Sequence, residues 1–222
     1  MVATGPASVW VISTEGRKSR IEHWNGSRWR LVHAPFGSND ALVGFSATAR
    51  NDAWAVGSYG LGGNNIAKYS HALAAHWNGR GWQITPVPNP RVDNNSAALV
   101  DVSAARPDDA WAIGESQQLN LRGSNGADGI SAPVPYFLRW DGQNWRVMAG
   151  ATPVMGVGSL AATKDGSAWA IGACVFDNVV MRWTKGAWAV ASHPPEHWPS
   201  NRSLPPGSRR GPSCTSIPAA GS

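Results

Sequence analysis

Trp77-Asn78-Gly79-Arg80-Gly81-Trp82 is one copy of a phrase that decides the fold. It recurs as Trp24-Asn25-Gly26-Ser27-Arg28-Trp29 and as Trp140-Asp141-Gly142-Gln143-Asn144-Trp145. A degraded copy reads Trp183-Thr184-Lys185-Gly186-Ala187-Trp188. A second phrase alternates with it: Ser8-Val-Trp10-Val-Ile, Asp52-Ala-Trp54-Ala-Val-Gly57, Asp109-Ala-Trp111-Ala-Ile-Gly114 and Ser167-Ala-Trp169-Ala-Ile-Gly172. Of the 13 tryptophans only Trp198 lies outside these columns. A fixed internal repeat sets the architecture before any other clue is weighed.

Asn-Gly and Asp-Gly between apolar runs are a strong hairpin signal, because Asn, Asp and Gly tolerate positive φ. Read as a two-residue turn at Asn78-Gly79, the phrase sets Trp77 opposite Arg80 and Ala75 opposite Trp82. A four-residue loop would set the two tryptophans directly opposite. Either way they share a face, since side chains alternate along a strand. The second phrase also reads as a strand. Trp54 and Val56 point one way, and Ala53 and Ala55 the other, where their small size suits close packing against a neighbouring sheet. An apolar run precedes each such strand: Ala41–Ser46, Ala98–Ser103 and 158–162. Arg50-Asn51-Asp52, Arg106-Pro107-Asp108 and Lys164-Asp165-Gly166 fall in the turns between.

Each unit is thus four antiparallel strands, A to D. Units of this kind recurring every ~40–60 residues are the signature of propeller blades. The expected fold class is all-β: a β-propeller or partial propeller of about four four-stranded antiparallel blades, the first incomplete. A two-sheet sandwich explains the short strands but not the fixed internal order. The units lie near 2–33, 41–86, 97–148 and 158–191, within a repeat domain spanning 1–192. Only Met1-Val2-Ala3 precede the first turn, so strand A of unit one is nearly missing. Residues 193–222 hold seven prolines. They read as a disordered tail and a poor closing strand, since proline cannot donate to a ladder.

Composition agrees. Charged residues make up only 15% of the chain, against 25 Gly and 16 Pro, which suits short strands and many turns. The net charge of +5 is scattered rather than gathered on one face, which argues against a nucleic-acid partner. No stretch approaches the ~20 apolar residues of a membrane span. The first residues lack the basic and apolar regions of a signal peptide. Cys174 and Cys214 permit one disulfide and require none.

The pattern resembles the Trp-x-Val-Gly … His-Trp-Asp-Gly-x-x-Trp repeats of bacterial, often exported, propeller proteins of the kelch-like or galactose-oxidase-like class. The spacing from Trp145 to Asp165-Gly-Ser-Ala-Trp169 is also similar to tectonin repeats, which form lectin-like propellers. The resemblance covers about 7–191. It implies an extracellular setting if the chain is a fragment of a longer exported protein. It departs from kelch repeats in having Gly62-Gly63 only once. The Asp141 turn is a residue shorter than the Asp-box of sialidase propellers.

Column alignment sorts the remaining residues. Trp10, Trp24, Trp29, Trp54, Trp77, Trp82, Trp111, Trp140, Trp145, Trp169, Trp183 and Trp188 are structural. His23 and His76 share a column with Arg139 and Arg182, and so read as a polar rim rather than metal ligands. His193 and His197 have metal-ligand spacing, but Pro194-Pro195 opposes the helix that spacing needs. Asp52, Asp108, Asp109 and Asp165 read as turn formers. Glu22 is the odd member of a column otherwise holding Ala75, Leu138 and Met181. No nucleophile, phosphate-binding or metal motif stands out, so no cofactor and no metal are expected, and the balance leans away from catalysis.

Function in repeat scaffolds tends to sit where the repeat breaks. The B–C loops swell to 58–70 in unit two and 115–135 in unit three, beside the D–A loop 86–96. The candidate ligand-binding residues are Tyr59, Asn64, Asn65, Tyr69, Arg91, Asp93, Asn94, Glu115, Gln117, Arg122 and Asp128. Exposed aromatic and amide groups suit a carbohydrate or a protein surface. The expected function is a non-catalytic binding or scaffold module. The alternatives are a propeller-type glycoside hydrolase, lyase or oxidase, and a truncated piece of a larger propeller. An open blade edge would also allow self-association.

Overall fold

Apolar and small residues alternating at period two leave the chain one way to bury its tryptophans: sheets stacked face to face. A computed structural model describes residues 1–16, 18–60, 70–88, 95–120, 129–130, 134–148, 154, 156–173, 178–184 and 186–192. They form four antiparallel sheets. Sheet 1 holds β1 (Val2–Gly5), β2 (Ser8–Glu15), β3 (Lys18–Trp24) and β4 (Trp29–Val32). Sheet 2 holds β5 (Ala41–Ala49), β6 (Asp52–Tyr59), β7 (His71–Trp77) and β8 (Trp82–Thr85). Sheet 3 holds β9 (Asn95–Arg106), β10 (Asp109–Asn120), β12 (Val134–Trp140) and β13 (Trp145–Val147), and the two-residue β11 (Gly129–Ile130) pairs with the tip of β10. Sheet 4 holds β14 (Gly156–Ala162), β15 (Ala168–Ala173), β16 (Asn178–Thr184) and β17 (Ala187–Ser192). Apart from the short β11, each strand pairs with the next in the chain in every sheet. Strand A of sheet 1, expected to be nearly absent, is present as the four-residue β1.

The hairpin register corrects one expectation. Trp24 pairs with Trp29, Trp77 with Trp82, Trp140 with Trp145 and Trp183 with Trp188. The tryptophans are therefore directly opposite, and the two-residue turn with Trp77 opposite Arg80 does not form. In the first three hairpins the Asx side chain closes the loop, while in the fourth, where Thr184 stands in its place, Thr184 pairs with Ala187 and the tryptophans meet in the same register. Asn78 Oδ1 accepts the N–H groups of Arg80 (3.0 Å) and Gly81 (3.1 Å), while Asn78 N–H donates to the Gly81 carbonyl. Asn25 and Asp141 repeat the arrangement. The loop tip moves one residue on, and Gly79 takes the positive φ of 88° there.

The sheets pack in chain order through three clusters. Between sheets 1 and 2 lie Trp10, Ile21, Leu42, Ala53, Ala55, Leu73, Ala75 and Trp82. Trp54 and Val56, on the other face of β6, join Ala110, Ala112, Leu138, Trp140 and Trp145 between sheets 2 and 3. Trp111 and Ile113 meet Ala168, Ala170, Met181 and Trp188 between sheets 3 and 4. The opposite directions expected for Trp54 and for Ala53 and Ala55 are thus observed. Each junction follows one formula: a strand-B tryptophan enters the hairpin tryptophan pair of the next sheet. Trp10 lies 5.4 and 5.8 Å from Trp77 and Trp82. Trp54 lies 5.0 and 4.9 Å from Trp140 and Trp145. Trp111 lies 5.1 and 5.6 Å from Trp183 and Trp188. Offset and edge-on aromatic contacts at these distances are favourable beyond their buried area.

The A strands converge on one another. Ser46 Oγ accepts the Ala104 N–H, Ser103 Oγ accepts the Ala162 N–H, and Asp101 Oδ2 accepts the Leu160 N–H. Gly44 allows the approach, since a Cβ there would meet Val56 at 2.7 Å and Asp101 Cα at 3.0 Å. Four-stranded sheets stacked in sequence with their first strands innermost are the blades of a β-propeller. Among the described residues, sheets 1 and 4 share no hydrophobic cluster.

Candidate binding site

The A–B turn end of the blades is braced, not open. His23 stacks on Trp10 at 4.0 Å and His76 on Trp54 at 4.5 Å, while the Arg139 and Arg182 guanidiniums lie 5.4 and 4.9 Å from the Trp111 and Trp169 rings. Each cap of the first three sheets is held by a residue at the start of strand B. Ser8 Oγ is 3.1 Å from His23 Nε2, and Asp52 Oδ1 is 2.6 Å from His76 Nε2. Asp109 accepts two hydrogen bonds from Arg139, at 2.9 and 3.2 Å, and one from Arg106. This supports the rim reading of the His/Arg column and corrects that of Asp52 and Asp109. Both carboxylates are buried and serve as braces rather than turn formers, because burial leaves a carboxylate in need of a cationic or N–H partner. Asp165 does behave as expected: its Oδ1 accepts from Ser167 N–H and Oγ. Desolvation, with the charge of Arg50, lowers the His23 pKa from 6.5.

The opposite end carries the candidate site. Tyr59, Glu115 and Gln117, expected in loops, are strand residues instead. Tyr59 is the last residue of β6 and pairs with His71. Glu115 pairs with Pro135 and Ala98, and Gln117 with Ser96. Their polarity suggests a loop, but the β12 ladder runs on past Gly114 to Ser116 and the β9 ladder to Gln118, and β11 pairs with Leu119 and Asn120. The Tyr59 ring lies 5.1 Å from the His71 ring and is 43% exposed. His71 was missed at the sequence level. Counting the register out from the Trp54–His76 pair would have set it opposite Tyr59. Glu115 reaches toward sheet 4, its Oε1 being 4.0 Å from where a Cβ on Gly156 would lie.

Two flanks of the candidate loops are pinned together. Ala97 N–H donates to the Ser70 carbonyl at 2.8 Å, and the buried Ser70 and Ser96 hydroxyls hydrogen-bond to each other. The B–C connection of sheet 2 thus re-enters its sheet beside the start of β9. Asn64, Asn65, Tyr69, Arg91, Asp93, Asn94, Arg122 and Asp128 lie outside the described residues, as do Cys174, Cys214, His193 and His197. Nearby, Tyr136 packs tightly against Gly114, and burial holds its phenol well above its ordinary pKa. What the described part of this end offers is an exposed aromatic–imidazole pair on sheet 2 and, on the face of sheet 3 turned toward sheet 4, a carboxylate and a carboxamide, groups suited to stacking and hydrogen bonding. Among the described residues no three His, Cys, Asp or Glu side chains are grouped to hold a metal ion. Among them there is also no helix long and apolar enough to cross a membrane.

No family model matches the chain, and a search of curated proteins gave no significant match. Solved structures do match. One is YCF48 bound to D1 peptide, with 14% identity and a TM-score of 0.43, covering 83% of this chain and 49% of that one. Another is a point-mutant form of the Aleuria aurantia lectin in complex with Fucalpha1-6GlcNAc. It shows 13% identity and a TM-score of 0.47 over 88% of this chain and 59% of the lectin. Both are β-propeller proteins. The chain spans about half the length of these proteins. Its fold class rests on its own four sheets and their order: it is an all-β protein built of propeller blades.

Proposed function

We propose that the chain is a non-catalytic binding or scaffold module, whose ligand is contacted at the B–C end of sheets 2 and 3. A carbohydrate or a protein surface would suit the groups there. One observation carries this. Trp10, Trp54, Trp82, Trp111, Trp140, Trp145 and Trp188 are buried in sheet junctions, whereas the Tyr59–His71 pair stands exposed where the repeat breaks. An exposed aromatic pair of this kind stacks on the apolar faces of sugar rings or on the side chains of a peptide. Residues 1–192 form the repeat domain in this reading, and 193–222 a proline-rich tail. The repeat itself is of the kelch-like or galactose-oxidase-like kind that its two phrases resemble.

The test is binding to glycan and peptide arrays by the full chain, followed by titration of the hits. Tyr59→Ala is expected to weaken the interaction at least tenfold, about 1.4 kcal/mol, without lowering thermal stability. Deletion of 121–128 is expected to weaken it as well. A ligand bound equally well by both variants would place the site elsewhere.

A further inference from the structure

The junction formula is met three times inside the chain, and both halves of a fourth are present on its outer faces. Sheet 1 presents Trp24 and Trp29 at 5.8 Å, tilted by 49°. The three pairs that receive a tryptophan have nearly the same geometry: 5.9 Å and 45°, 5.7 Å and 53°, 5.8 Å and 65°. Yet Trp29 is 47% exposed, while its counterparts Trp82, Trp145 and Trp188 are buried. On the far face of sheet 4, Trp169 stands in the column of Trp10, Trp54 and Trp111. Those three are fully buried, and Trp169 is only half-buried. Ile171 is 50% exposed where Val56 and Ile113 are fully buried. Among the described residues Trp169 meets no second tryptophan ring.

The charges on these two faces also match. In sheets 1, 2 and 3 the residue capping the strand-B tryptophan has a partner at the start of its own strand B. In sheet 4 that position is Ser167, which donates to Asp165, and the buried Arg182 Nε makes no hydrogen bond. Asp165 feels the charge of Arg182 but is hydrogen-bonded to Ser167 instead, and the sheet 1 face offers a second carboxylate. Glu22 occupies the column in which Ala75, Leu138 and Met181 pack against the preceding sheet. It accepts only from Ser13 Oγ at 3.0 Å among the described residues. Arg20, two residues before it on the same face, pairs with Glu15.

We infer that the far face of sheet 4 docks on the near face of sheet 1 of a second copy of this chain. Trp169 enters the Trp24–Trp29 pair and Arg182 pairs with Glu22. The contact is head-to-tail. Such a heterologous interface closes into a ring when its rotation permits, and two copies of four sheets give eight blades, within the range propellers adopt.

The experiment is sedimentation velocity of the full chain across the micromolar range, with charge-reversed variants. Wild type is expected at twice the 23.5 kDa chain mass. Glu22→Lys and Arg182→Glu are each expected to be monomeric when alone. Mixed in equal amounts they are expected to recover the two-copy mass, because both junctions of the mixed pair then join opposite charges. Near-ultraviolet circular dichroism of each single variant checks that it is folded, and the milder Glu22→Gln and Arg182→Gln serve if it is not. Assemblies longer than two copies that vanish in the single variants would support the junction and show that its rotation does not close. A monomeric wild type would overturn the inference, including one in which the two faces meet within one chain. A dimer untouched by all four substitutions would overturn it too.

Discussion

A tryptophan in this chain is defined less by its own sheet than by the next one. Trp111 is fully buried and touches Trp183, Trp188 and the Arg139 guanidinium. Trp111→Ala is expected to cost ~3–5 kcal/mol, the usual range for removing a large buried aromatic, measured by urea unfolding. A loss under 1 kcal/mol would mean that sheets 3 and 4 do not pack as described. His23 makes a subtler case. Burial lowers its pKa below 6.5, so the unfolded chain binds its proton more readily than the folded one. Stability then rises with pH. The His23 contribution is complete above the ordinary imidazole value and is lost as the pH falls through it. The unfolding midpoint of wild type relative to His23→Gln is expected to drop between neutral and mildly acidic pH. A difference independent of pH would count against the Trp10–His23 stack.

At the scale of the element, the hairpin phrase shows how much was legible and where legibility stopped. The five-residue tryptophan spacing placed the strands, their order and the shared face. It did not settle the register, because the two-residue and four-residue loops use the same letters. The four-residue loop at Asn78 is closed by its side-chain carbonyl taking two N–H groups, yet Trp183 and Trp188 pair in the same register with Thr184 in the Asx position, so the turn residues alone do not decide it. Similarly, Glu115 and Gln117 were assigned to a loop on polarity, although cross-strand pairing with β9 keeps them in a strand. His71 was overlooked because it lies outside the repeat columns. The loop assignment makes one clean comparison available. Gly79 has φ of 88°, and a Cβ there would sit 2.9 Å from Asn51 Cβ, whereas a Cβ on Gly81 meets nothing within 4 Å. Gly79→Ala is expected to lower stability by more than ~1 kcal/mol and Gly81→Ala to leave it nearly unchanged. Equal effects in thermal melts would rule out the observed loop tip.

At the scale of the whole molecule, among the described residues, sheets 2 and 3 are flanked on both faces and sheets 1 and 4 on one. In a stack whose units contact only their neighbours, stability is close to a sum of unit and junction terms. Amide exchange is therefore expected to be slowest in β6 and β10, which sit between two clusters, and fastest in β4 and β17. Uniform protection across all four sheets would instead indicate that the outer faces are covered in solution, as the head-to-tail pairing requires. The measurement is thus best made on the monomeric Glu22→Lys variant and on wild type side by side.

The uniform junction formula has a consequence for how the chain finds its order. Trp10, Trp54 and Trp111 meet hairpin pairs of closely similar geometry, so the rings alone carry no address. Any strand-B tryptophan could enter any hairpin, and a permuted stack would satisfy the same aromatic contacts. The correct sequence of sheets must then be written elsewhere: in the short connections 33–40, 86–94 and 148–155, and in singular ties such as Asp101 to the Leu160 N–H. Repeat proteins commonly misassemble by swapping equivalent parts. In this chain the one-off polar residues, rather than the conspicuous aromatics, keep the parts in line.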